Sequence, residues 1–460
     1  VGVRKIDNDL LGGSLFKKLF FFSVPLILSG VLQLMFNAVD VIVVGRYCGS
    51  AALAAVGSTG SLVSLTVNLF MGLSVGTSVA VAQSLGADRA NDARETVHTS
   101  IAISLICGVV VSFTGILGAR GMLGLMGSPK NVIDLSALYL RVYFLGMPAS
   151  MVFNFGGAIV RATGDTKRPL YILTIAGAVN VVLNLFFVIT FKMGVAGVAI
   201  ATVLSQFVSA ALIILLLTKL GDCCRLDLKN MRIYKDKLRF IFKIGIPAGI
   251  QSMIFSFSNV LIQSGINSFG STAMAGNAAA ANLDGFIYAS MNAVYQGSLA
   301  FTGHHVGAKK YHRINKICGY SCLIAVIIGI SAGGLMFLFG KPLLGIYSRD
   351  GAVIASGMIR LSIVGTTYFL CGIMEVVSGQ IRAMGQSLLP MAVSTFGICV
   401  LRIIWIYTAF ASIHTLQILY LSYPITWIVT DIAHLISFFA VKKRLIKSDS
   451  EYVAPAKPEK

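Results

Sequence analysis

Between Phe16 and Val441 the chain has almost no polar stretch longer than a short connection. One apolar run follows another, and each approaches the roughly 20 residues that a helix needs to cross a bilayer. Twelve such spans are expected, near residues 16–45, 52–84, 97–119, 132–158, 169–191, 195–218, 238–266, 273–305, 316–340, 352–380, 388–410 and 415–441. The longest connection, 219–237, divides them into two sets of six. The expected organisation is therefore a lobe over 1–218, a linker over 219–237, a second lobe over 238–441 and a solvated tail without fixed structure over 442–460. The fold class is an all-α membrane protein. The first apolar segment is too long for a cleaved signal, contains Pro25 and runs on into further apolar sequence, so it reads as a span.

Charge sets the orientation. Only 12% of residues are charged and 56% are hydrophobic, against about 25% charged in a soluble domain. The net charge of +19 would suggest a nucleic-acid partner in a soluble protein, but here its distribution decides otherwise. If both termini are cytoplasmic, the termini, the cytoplasmic loops and the inner ends of the spans beside them hold 28 of the 37 Lys and Arg residues. The opposite loops hold six: Arg46, Arg120, Lys130, Lys192, Lys341 and Arg349. Arg141, Arg360 and Arg402 fall deeper within spans. That is the positive-inside pattern. It predicts a multi-pass plasma-membrane protein with no nucleic-acid partner. The eight Cys have no zinc spacing. Cys223 and Cys224 lie on the predicted reducing side, so no disulfide framework is expected.

The two halves resemble each other. "RATGDTKRP" at 161–169 recurs as "RAMGQSLLP" at 382–390, "GSAALA" at 49–54 as "GSTAMA" at 270–275, and "SLGA" at 84–87 as "HVGA" at 305–308. All three recur at a shift of 221 residues, and Pro25 and Asn37 match Pro247 and Asn259 at 222. Six spans per unit make the repeats enter the membrane in the same direction. The expectation is two six-helix bundles related by a pseudo-two-fold along the membrane normal. A phosphate-binding G-x-x-x-x-G-K-[ST] loop is absent, as are H-E-x-x-H, G-x-S-x-G and clustered metal ligands. The sequence thus suggests neither an enzyme nor an ATP-driven pump, and no cofactor is implied.

Four acids fall well inside spans, away from their ends: Asp40, Asp284, Glu375 and Asp431. An acid at mid-bilayer costs about 2.5–3.5 kcal/mol on insertion scales and faces protein or water. Asp40 shares a helical face with Gln33, Asn37 and Val44, and Asn180 and Asn184 form an i, i+4 pair on the fifth span. Asp40, Asn37, Asn180 and Asn184 are the candidate ion-coupling site. It would bind a proton, or Na+ at Asp40, Asn180 and Asn184. The competing reading is a buried network tying spans one and five together. Glu375, Asp284, Asn259, Gln33 and Tyr288 are candidates for a substrate cleft or second ion site. Against that, Glu375 could pair with Arg402, and Asp284 could bond Tyr288, Tyr295, Ser256 or Asn259. Asp431 with His434 reads as interhelical glue. "RATGD", "RAMGQ" and His304-His305 read as structural helix ends, and Pro25 and Pro247 as kinks.

The strings "VPLILSGVLQLMFNAVDVIVVGRYCGSAALAAVG", "GLSVGTSVAVAQSLGA", "RATGDTKRP", "NVVLNLFFVITFKMGVAGVAIATVLSQ" and "RAMGQSLLP" together resemble the MATE (multidrug and toxic compound extrusion) family over about residues 15–441. The resemblance implies proton- or sodium-coupled export of organic, often cationic, compounds by two six-helix bundles in a V shape. It also implies bending of the proline-containing helices with protonation. An archaeal branch of the family pairs the first-span carboxylate with an Asp on span five, where this chain has Asn184. A NorM-like branch has a Glu on span seven, where "GIQSMIFSFSNV" has no acid. The expected partners are the lipid bilayer and a small cationic or amphipathic substrate, and the chain is expected to be a monomer. Two alternatives are a flippase for a lipid-linked precursor and, in another class, a receptor or channel.

Overall fold

The computed structural model describes residues 10–125, 132–221 and 223–453. Twelve helical segments correspond one to one with the expected spans. They are α1 (Leu15–Tyr47), α2 (Ser50–Gly86), α3 (Ala90–Leu125), α4 (Ile133–Leu145 bent into Met147–Ala162), α5 (Lys167–Leu185 and a π-turn, Phe186–Thr190) and α6 (Gly194–Thr218). Then follow α7 (Lys235–Asn267), α8 (Ser271–Gly307), α9 (Ile314–Leu338), α10 (Gly351–Arg360, a π-turn over Leu361–Gly365, then Thr366–Ala383), α11 (Leu388–Ser394, with π-turns Thr395–Val400 and Ile406–Phe410 flanking Leu401–Trp405) and α12 (Leu416–Val453). Among the described residues, ten helices are long and apolar enough to cross a membrane, and the two pieces of α4, bent by 48°, form an eleventh if taken as one span. α8 has 37 residues and is rich in Ala, Asn and Gly rather than in large apolar side chains. No strand occurs among the described residues.

The repeat is written into the backbone as well as the sequence. Gly49 (φ +85°) has its counterpart in Gly270 (+84°), Asp88 (+55°) in Lys309 (+57°), and Gly164 (+96°) in Gly385 (+90°). Each pair is separated by 221 positions. The last two pairs close helices in the same way. Arg89 N–H donates to Ser84 O at 3.0 Å and Lys310 N–H to His305 O at 2.8 Å, while Asp165 N–H reaches Val160 O at 3.3 Å and Gln386 N–H reaches Ile381 O at 3.2 Å. A left-handed residue followed by such a bond is how a helix end satisfies its last carbonyls.

The chain clusters into two compact units. Among the described residues, unit 1 comprises 24–85 and 89–249, and unit 2 comprises 10–23, 86–88 and 250–453. The division therefore runs through α1 and α7, close to Pro25 and Pro247, rather than through the connection at 219–237. That connection folds onto unit 1. Cys224 and Leu226 are buried in its core beside Val97, Ile213 and Leu217. Asp227 N–H donates to His98 Nε2 at 3.1 Å, and Tyr234 N–H to Thr99 Oγ1 at 3.1 Å. None of the eight cysteines is in a disulfide.

The C-terminal segment departs from the expected unstructured tail. α12 continues to Val453, with Lys442 Nζ donating to Asn315 Oδ1 at 2.8 Å and Lys309 Nζ reaching Asp449 Oδ1 at 2.6 Å. The charged sequence was compatible with solvation, but its partners on α9 and at the end of α8 hold it. Residues 454–460 lie outside the described residues.

Candidate functional site

Unit 1 holds the Asp40 cluster. Asp40 falls in the half of α1 beyond Pro25, and the i, i+4 spacing of Asn180 and Asn184 turns both amides to one face of α5. Asn184 Nδ2 donates to Asp40 Oδ1 in a short hydrogen bond. The same amide reaches Asn180 Oδ1 at 3.3 Å, and Asn180 Nδ2 faces Thr202 Oγ1 of α6 at 3.4 Å. Asn180 and Asn184 are buried, whereas Asp40 is half-buried. Asn184 Oδ1 is buried without a partner. The hydroxyls of Tyr139 and Tyr143 on α4 lie within electrostatic reach of Asp40. No ion pair among the described residues includes Asp40. The Asp40 carboxylate thus meets an amide N–H and no counter-cation, and the nearby Asn184 Oδ1 is unpartnered, a setting that leaves the charge uncancelled and suits uptake of a proton or, if the amide turns its oxygen inward, of a hard cation.

Of the expected ion-site residues, the structure joins Asp40, Asn180 and Asn184 and adds Thr202. Asn37 and Gln33 are exposed and stand outside this hydrogen-bonded chain. Thr202 was missed because a threonine in an apolar helix is commonplace. Its signal was the register of α6 against α5, which only packing supplies.

Unit 2 carries a different chemistry, built on buried arginines. Arg360 Nε donates to Asp284 Oδ2 at 2.8 Å and its Nη1 to Asn277 Oδ1 at 2.8 Å. Asn277 Nδ2 in turn donates to Gln263 Oε1 at 2.9 Å, and Tyr420 Oη to Asn277 Oδ1 at 3.2 Å. The Arg360 guanidinium lies 5.5 Å from the Tyr423 ring, and Arg402 lies 4.2 Å from the same ring. Arg382 bonds Tyr295 Oη at 2.8 Å and Gln251 Oε1 at 2.7 Å.

These contacts change three expectations. Asp284 pairs with Arg360 rather than with Tyr288, Tyr295, Ser256 or Asn259. Arg402 does not pair with Glu375. It donates to Ser258 Oγ at 3.1 Å and Asn259 Oδ1 at 3.3 Å, while Glu375, buried on α10, feels the charge of Arg382. Of the two residues read as interhelical glue, His434 does link α12 to α11, its Nε2 lying 3.3 Å from Ser394 Oγ, whereas both Asp431 oxygens lack a partner. Tyr288 is exposed. The sequence did offer a signal for Arg360: an arginine inside a span faces protein or water and needs polar partners, among which an intramembrane acid is one candidate.

The sequence pattern of the family described as MatE matches the chain twice, over residues 25–186 and 247–408. The chain belongs to the MatE family. The two matches begin 222 positions apart, at 25 and 247, in agreement with the repeat and with a membrane protein of two six-helix halves. Among its relatives are the probable multidrug resistance proteins YoeA and YpnP of Bacillus subtilis. The first is 29% identical, covering 84% of this chain and 85% of that protein. The second is 27% identical, covering 86% and 88%. Solved structures with the same fold include an outward-facing multidrug resistance MATE transporter of the MOP superfamily, with TM-score 0.88, 22% identity and coverage of 97% of this chain and 99% of that one. A MOP superfamily transporter from Pyrococcus furiosus superposes with TM-score 0.87 at 22% identity, covering 97% and 98%.

Proposed function

We propose that this MatE-family chain is a secondary antiporter that exports organic cations or amphipathic drugs, driven by a proton or sodium gradient across the plasma membrane, with both termini cytoplasmic. The observation that carries the reading is the Asp40 cluster, an ionisable group in the membrane whose hydrogen-bond partner is an amide. Asparagine can bond either protonation state of a carboxyl but cannot cancel its charge. The site therefore takes up a cation or proton and releases it when its surroundings change. Its place on α1 beyond Pro25 lets binding bias the shape of a proline-containing helix, which couples the ion to a conformational equilibrium. Relatives named as multidrug resistance proteins support the substrate class.

A flippase for a lipid-linked precursor would use free cationic groups to hold phosphate. Arg360, Arg382 and Arg402 are already engaged by Asp284, Asn277, Tyr295, Gln251, Ser258 and Asn259, which favours the antiporter.

The deciding experiment is efflux of a cationic dye from everted vesicles under an imposed ΔpH or ΔNa+. Efflux should follow one of the two gradients, and Asp40→Asn should abolish it while leaving membrane insertion intact. Normal efflux by Asp40→Asn would reduce Asp40 to a structural contact.

A further inference from the structure

Three of the four acids well inside the spans have a group that meets their charge or polarity. Asp40 accepts from Asn184, Asp284 from Arg360 at 2.8 Å, and Glu375 lies in the field of Arg382. Asp431 has no such group. It is 6% exposed, both of its carboxylate oxygens are buried without a hydrogen-bond partner, and no ion pair among the described residues includes it. It belongs to the buried stripe of α12, between Trp427 (3%) and His434 (0%).

The ionisable groups facing it from the neighbouring helices are thiols, Cys322 of α9 and Cys371 of α10. On its own helix the nearest is His434, one turn on, which adjoins Ser394 of α11 at 3.3 Å. Glu375 and Arg402 act on the same Cys371, and Arg382 on His434. None of these donates to the Asp431 carboxylate. A bare carboxylate in such a place is untenable. A hard metal cation would need several oxygen ligands, but thiols and an imidazole are what surround the acid. No group of three or more His, Cys, Asp or Glu residues able to hold a metal occurs among the described residues. A proton alone satisfies a lone carboxylate without further ligands.

We propose that Asp431 is a proton-binding residue of unit 2, separate from the Asp40 cluster. The carboxylate takes one proton to become the neutral acid in the geometry described here, and gives it up when α12 presents that stripe to water. Ser394 connects the neighbourhood onward. It accepts from Gln251 Nε2 at 3.0 Å, and Gln251 accepts from Arg382 at 2.7 Å. Proton binding stands without the antiport reading. Only its use in transport, as a second proton per cycle, rests on that reading.

Infrared difference spectra between acid and alkaline pH test the proposal on the purified full chain in lipid, in H2O and D2O. The wild-type chain should show a protonated-carboxyl stretch that is lost at alkaline pH. Asp431→Asn should lack one carboxyl component of that band, and Asp40→Asn should keep it. A difference spectrum of Asp431→Asn identical to that of the wild type overturns the proposal. Asparagine matches the neutral acid in shape, so the variant should fold. Asp431→Leu serves for the spectra if it does not, and failure of both to fold overturns the proposal, because it would mean that the charge is required. If Asp40→Asn transports normally while the Asp431 component is still lost in Asp431→Asn, the antiport assignment of Asp40 fails and the Asp431 site stands.

Discussion

Arg360 shows what one side chain contributes when it is buried with its partner. It holds Asp284 at 2.8 Å and Asn277 at 2.8 Å and packs over two tyrosine rings. Removing only the cation strands a buried carboxylate, which costs about 3–5 kcal/mol, whereas replacing both partners by apolar groups of similar volume is often near neutral. Arg360→Met should therefore lower the thermal midpoint in detergent sharply, and Arg360→Met with Asp284→Leu should recover most of it. An equal loss in the single and double variants would mean that the Asn277 and tyrosine contacts carry the stability. Asp40 and Asp284 were both legible in the sequence as acids among apolar residues. Their opposite characters were not, because whether an acid meets an amide or a guanidinium depends on which helices lie side by side.

Helix packing in unit 1 depends on glycines. Gly72 and Gly76 of α2 and Gly245 and Gly249 of α7 each have a one-turn spacing, the small-x-x-x-small pattern that lets membrane helices approach closely. A Cβ on Gly72 would sit 2.1 Å from Gly249 N, and one on Gly245 would sit 2.6 Å from Leu73 Cα. Both collisions are with backbone, which cannot turn aside. Gly72→Ala or Gly245→Ala should thus destabilise by about 1–3 kcal/mol as the helices separate. Gly319→Ala, with nothing within 4 Å of its Cβ, should have no effect. Melting of the three variants in detergent checks this, and equal midpoints would refute the close crossing. The 219–234 connection makes a different point. Its length and charge suggested a linker, but its backbone amides find His98 and Thr99, partners more than a hundred positions away. Within it, the Asn230 side chain and the Lys229 amide hold the Asp227 carboxyl below its usual range. A depressed carboxyl favours the folded turn above the ordinary carboxylate range, and that benefit is lost as pH falls through the lowered value. Amide protection over Leu226–Asn230, corrected for intrinsic exchange, should hold at neutral pH and fall only in acid. A fall near neutrality would assign the docking to another group.

Across the whole chain, the repeat was legible because it leaves marks at three levels: short strings, the paired left-handed residues at a constant offset, and a family pattern that matches twice. Sidedness was read from Lys and Arg alone, 28 against six, and two cysteines test it together with the number of spans. Cys48 follows α1 and is half-buried; Cys223 follows α6 and is half-buried, while its neighbour Cys224 is buried under the connection. Five spans, α2 to α6, separate Cys48 from Cys223 if the bent α4 crosses once. An odd number of crossings puts the two thiols on opposite sides. In single-cysteine variants, a membrane-impermeant maleimide should label Cys48 from outside intact cells and Cys223 only in inside-out vesicles, and Cys224 should stay unlabelled in both until the chain is denatured. Exchange of the two patterns would reverse the orientation and leave the count intact. Labelling of Cys48 and Cys223 from the same side would break the count itself. The bent α4 would then be the segment at fault, because among the described residues it holds the one span interrupted by a bend of more than 40°.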